Sequence, residues 1–113
     1  MAFEATLEMV GGGIAKITLS GELDASVAQD FRDKVDLAAG KGAKRLVLIM
    51  NDLEYMASAG LRSLIFAKQK MGAGVDIYVI GAQEPIVDTL TMTGFQHSVI
   101  MLPEYDAAQI EKL

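Results

Sequence analysis

A nucleophilic catalyst needs a nucleophile, a base and a group that orients the base, and this chain is poorly supplied with them. His97 is its only histidine, and there is no cysteine. His97 stands just before the apolar stretch Val99 to Leu102, far in sequence from any acidic partner. A surface or packing role suits it better than that of a base held to strict geometry. A metal site needs clustered His, Cys or carboxylate ligands. Asp52 and Glu54 lie close together but read as solvated loop residues, and Asp30, Asp33 and Asp36 as one solvent-facing helix surface. Gly11-Gly12-Gly13 lacks the lysine and the strand–loop–helix setting of a phosphate cradle, so it reads as a turn. The expectation is therefore no enzyme, no metal and no cofactor. Ser58 stands at the junction of a loop and a helix. On local chemistry alone it is a helix cap, accepting a backbone N–H for about 1 kcal/mol.

The elements that would position these residues follow from periodicity. Phe3, Ala5, Leu7 and Met9 alternate with polar residues, as do Ala15, Ile17 and Leu19, and the glycines between them predict a β-hairpin. Asp24 is placed to cap a helix beginning near Ala25, with Val27, Phe31, Val35 and Ala38 on one face and Gly40 and Gly42 ending it. Leu46 to Met50 is an unbroken apolar run, the mark of a strand buried on both faces. Leu61, Leu64 and Ile65 mark a second helix, closed by Gly72 or Gly74, and Val75 to Ile80 another strand. Pro85 suits the first turn of a third helix, with Ile86, Val87 and Leu90 apolar and Gly94 at its end. A short strand over Val99 to Leu102 and a terminal helix over Asp106 to Leu113 complete the order.

Strands alternating with helices predict an α/β fold built on parallel βαβ units. The sheet is expected to be mixed, mostly parallel with an antiparallel N-terminal strand, and packed with about four helices. In open α/β sheets, binding sites gather outside the carboxyl ends of the strands. The loops Ser20 to Asp24 and Asn51 to Gly60 should then share one rim. Methionines more often fill a core, but Met50 and Met56 flank the second loop, where an exposed share would serve an interface.

The chain has 113 residues, 51% hydrophobic and 22% charged, and reads as one globular domain over residues 1–113. Ten cationic against fifteen acidic side chains give a net charge of −5, which argues against direct nucleic-acid binding. No apolar run approaches the ~18 residues of a membrane span, and no signal peptide is visible. The lack of cysteine fits a reducing cytosol.

Asn51-Asp52-Leu53-Glu54-Tyr55-Met56-Ala57-Ser58-Ala59-Gly60-Leu61 resembles the signature of the STAS domain family, which includes bacterial anti-sigma-factor antagonists. Leu19-Ser20-Gly21-Glu22-Leu23-Asp24 and, more weakly, Met92-Thr93-Gly94-Phe95 match it too, in the expected order. The resemblance implies a cytoplasmic partner switch. The unphosphorylated antagonist binds an anti-sigma factor that is also a serine kinase, which frees the sigma factor. Phosphorylation separates the pair, and a metal-dependent serine phosphatase of the PPM type resets it. The matching phosphoacceptor is Ser58, and the implied partner surface comprises Glu22, Asp24, Met56, Ala57, Ser58, Ala59, Gly60 and Arg62. Asp24 would support the site or simply cap its helix, Gly60 would admit a close partner, and Arg62 would steady a phosphate or remain solvated. Many phosphorylated antagonists have Asp before the serine and a second serine after it; this chain has Ala57 and Ala59. The alternatives are a nucleotide or small-ligand sensor and an adaptor subunit of a transport complex, neither regulated through Ser58.

Overall fold

The computed structural model describes residues 2–112. Strand β1 (Glu4–Val10) turns at the glycines into β2 (Ile14–Leu23), and α1 (Ala28–Gly40), β3 (Arg45–Met56), α2 (Ser58–Met71), β4 (Asp76–Ile80) and α3 (Glu84–Thr93) follow. A short 3₁₀ turn (Phe95–Ser98), β5 (Ile100–Leu102) and the one-turn helix α4 (Ala107–Ile110) complete the order. The sheet has five strands in the order β1-β2-β3-β4-β5. β1 runs antiparallel to β2, with Leu7 opposite Ile17, and the other pairings are parallel. Gly11, at φ +60°, supplies the left-handed residue the hairpin needs. This is the mixed sheet expected from the sequence.

Strand alternation sends two sets of side chains to opposite faces. Ile17, Leu19, Leu46, Leu48, Met50 and Val79 meet the helices, packing with Phe31 and Val35 of α1, Leu64 and Ala67 of α2, and Ile86 and Leu90 of α3. Full burial of such a side chain contributes about 1.5–3 kcal/mol, so this layer holds the helices on the sheet. On the opposite face Ile14, Val47, Tyr78 and Ile80 pack with Ile110 of α4. The C-terminal segment is what makes the central strand apolar on both sides. Arg45 anchors it by donating to the carbonyls of Gln109 (2.8 Å) and Ile110 (2.6 Å). The Lys16 ammonium lies 4.5 Å from the centre of the Tyr105 ring. Tyr105 donates to Glu111 at 2.6 Å, and burial, with help from that carboxylate, pushes its pKa up to about 12.

Several boundaries differ from expectation. α1 begins at Ala28, not near Ala25, because residues 25–27 form a turn. β3 runs on to Met56, well beyond the apolar core that announced it, and takes up most of the expected loop. β4 starts at Asp76. Ile65, one of the apolar residues that mark α2, is 39% exposed, while Ser63 and Ala67 are buried. Ser63, the buried polar residue, is satisfied by donating to the Ala59 carbonyl at 2.9 Å. The terminal helix is shorter than expected, and Leu113 lies outside the described residues.

Candidate functional site

Beyond Ile49 the β2–β3 ladder slips twice. Thr18 faces Ile49 and Ser20 faces Asp52; Gly21 faces Leu53 and Glu22 faces Tyr55. β3 inserts an extra residue each time, and such bulges bend a strand and re-aim its side chains. Met50, Leu53 and Met56 consequently point inward, while Asn51, Asp52, Glu54 and Tyr55 are exposed. The ladder closes with Leu23 opposite Met56, and the Ala57 N–H donates to the Leu23 carbonyl at 2.9 Å. The two segments expected to share a rim are thus adjacent hydrogen-bonded strand ends, and Ser58 begins the helix that leaves them.

Ser58 is not the cap of α2. The N-cap position belongs to Ala57, extended at φ −80°, ψ 174°, whose carbonyl accepts from the Leu61 N–H at 3.1 Å. Ala57 makes no side-chain cap bond to this helix start. Ser58 is the first helical residue and exposed. An alanine N-cap forgoes the stabilisation a serine would supply there. The hydroxyl stands at the positive end of a 14-residue helix with no acidic residue in its first turn. Arg62, also exposed, is the neighbour one turn along.

Asp24 does not cap α1 either, since Val27 occupies that position. Its carboxylate accepts from the Ser26 hydroxyl (2.6 Å) and the Ser26 N–H (2.9 Å), building a tight turn at the end of β2. The Ser26 hydroxyl bond, with the backbone bond behind it, holds the Asp24 pKa below the usual aspartate value.

Three residues of the expected contact surface prove to be interior. They are Met56, Ala59 and Gly60; Met50, which flanks the same segment, is buried as well. The bulges turn Met56 under the rim, and among the described residues the exposed methionine is Met92, 87% accessible on α3. Gly60 does allow a close approach, but within the chain. A Cβ there would lie 2.8 Å from the Leu23 carbonyl oxygen and 2.7 Å from Met56 Cγ. Glu22, Ser58 and Arg62 remain exposed, with Ala57 partly so.

Tyr55, 51% exposed beside Glu22, is a rim residue that sequence reasoning did not single out. Gln83 is another; its side chain donates to the Asn51 carbonyl at 3.0 Å and ties α3 to the rim. With Ser20, Asp52 and Glu54 it lines a shallow depression. Asp52 and Glu54 are strand residues rather than loop residues, and both are exposed. His97 lies exposed in the 3₁₀ turn, 3.5 Å from Gln96 Nε2. No cluster of three or more potential metal-ligating side chains occurs among the described residues, and no helix among them is long and apolar enough to cross a membrane.

The family model of the STAS domain matches residues 9–108, which include both rim segments and α2. The chain belongs to the STAS domain family. Solved structures agree with that membership at the level of the fold. An anti-sigma factor antagonist from Mycobacterium paratuberculosis superposes with a TM-score of 0.84 at 20% identity, over 95% of this chain and 91% of that one. The anti-sigma factor antagonist SpoIIAA in its unphosphorylated form gives 0.76 at 20% identity, over 96% of each chain. The phosphorylated form of SpoIIAA, a Bacillus cell fate determinant, gives 0.70 at 22% identity, over 91% of this STAS domain and 93% of that chain. No curated protein sequence matches the chain.

Proposed function

We propose that this STAS domain is a single-domain, cytoplasmic anti-sigma factor antagonist, a binding switch and not an enzyme, controlled by phosphorylation of Ser58. The unphosphorylated rim binds an anti-sigma factor that is also a serine kinase, and a sigma factor is released. Phosphorylation of Ser58 dissolves the complex, and a PPM-type serine phosphatase restores it. The observation that carries this reading is the state of Ser58, an exposed hydroxyl at the first position of α2 with no capping duty.

The electrostatics suit a reversible phosphate. It would bring about −1.5 to −2 charges to the positive end of α2, with Arg62 one turn away and alanines in place of an acidic neighbour. The fold tolerates that charge, whereas a partner covering the rim does not. A thousandfold loss of affinity needs about 4.1 kcal/mol, within reach of desolvating a doubly charged group or setting it against like charge. Glu22, Asp24, Ala57, Ser58 and Arg62 supply the contact surface, shaped from beneath by Met56, Ala59 and Gly60.

The chain recovered from its native cells should carry a single phosphate, mapped to Ser58 by tandem mass spectrometry, and the Ser58→Ala chain should carry none. Phosphate on another residue, or equal phosphorylation of the Ser58→Ala chain, contradicts the assignment.

A further inference from the structure

The opposite side of α1 presents a surface that the Ser58 rim does not use. β1 is an outer strand of the sheet, so one side of its backbone has no neighbouring strand. Ala5, Leu7 and Met9, half-buried, form an open groove with Lys34 and Leu37 of α1 and with Lys41, which follows its last residue. Leu37 stands 51% exposed there. Along α1, Asp33, Asp36, Leu37, Gly40 and Lys41 line a single depression, and their spacing of three and four places them on one helix face. That face begins with an acid, centres on a leucine and ends with a glycine and a lysine.

We propose that this β1–α1 face binds a second copy of the chain about a two-fold axis passing by Leu7 and Leu37, joining the two sheets edge to edge. The strand register supports it. A two-fold antiparallel pairing sets residues of the same sheet face opposite one another, so the register can shift only in steps that preserve the faces. With Leu7 opposite its own mate, Ala5 meets Met9, Thr6 meets Glu8 and Glu4 meets Val10, and all of Glu4–Val10 is paired. The next register on one side puts Glu4 opposite Glu8, and the next on the other puts Glu8 opposite itself. Like charges directly opposite are destabilising, so the sequence selects one pairing.

The helix is its own complement under the same axis. α1 lies antiparallel to its mate, and with Leu37 at the centre Asp33 of one copy falls opposite Lys41 of the other, twice by symmetry. Gly40 has no side chain to hold the helices apart. The spacing is compatible, because α1 packs on both β1 and β2. Helices flanking the seam then stand within two strand spacings, about 10 Å, a normal helix-packing distance. An acid and a base at opposite ends of one face match a second copy of that face better than an unrelated strand.

The test is sedimentation equilibrium of the full chain over a wide concentration range, with circular dichroism to show that each variant is folded. The expected mass rises from the 12.1 kDa monomer toward twice that value. Leu37→Asp should abolish the rise. Asp33→Lys and Lys41→Asp should each weaken dimerisation about tenfold, and the two together should restore it. A chain that stays at 12.1 kDa at every concentration, a dimer indifferent to Leu37→Asp, or a double reversal no better than the single variants would overturn the proposal.

Discussion

Ser58 differs from a capping serine by one position, and that position decides its chemistry. At the N-cap its oxygen would be occupied by a backbone N–H; at the first helical position it faces outward. A negative charge there meets the helix dipole favourably. Ser58→Asp should therefore leave the fold intact and raise its stability by about 0.3–1 kcal/mol at low salt, read as a higher urea midpoint with unchanged slope. A clear loss of stability would contradict the free-hydroxyl geometry. The place of Ser58 where α2 begins was legible in the sequence; its capping state was not. Moving a helix start by one residue changes no periodicity, only which group the first N–H bonds find. A larger shift, of α1 from near Ala25 to Ala28, concealed the role of Asp24, whose oxygens serve Ser26 and not α1.

At the scale of elements, the two bulges of β3 organise the rim. They convert strand alternation into inward residues at every third position, Met50, Leu53 and Met56. That pattern matches neither a strand nor a helix, which is why this stretch read as a loop and Met56 as a surface residue. The apolar run Leu46 to Met50 in β3 was read correctly because burial on both faces needs no alternation. α2 leaves the rim across the end of β2, and Gly60 sets how near it comes. Gly60→Ala would drive a Cβ against the Leu23 carbonyl, a backbone atom that cannot rotate away. Overpacking of this kind costs about 1–3 kcal/mol, and a urea midpoint lowered by that amount is the expected result. An unchanged midpoint would show that the β2–α2 contact can relax.

For the whole molecule, the order of strands and helices prescribed the mixed sheet, and the right-handed parallel connections left little choice in how its elements could be arranged. The cover over the second face was harder to see. It depends on Tyr105, Ile110 and the reach of Arg45 to the last carbonyls of α4, contacts between residues far apart in sequence and carried by a helix of one turn. The Ser58 rim, at the ends of β2 and β3, and the proposed β1–α1 dimer face, at the β1 edge, lie on separate parts of the sheet. Under the proposed switch, a charge added at the rim releases a partner while the core stays unchanged. The most direct test of that account is capture from native cell lysate on two baits, Ser58→Ala and Ser58→Asp. The account predicts that a kinase-type anti-sigma factor is held by the alanine bait and lost from the aspartate bait; equal retention of the same partner on both would contradict control through Ser58.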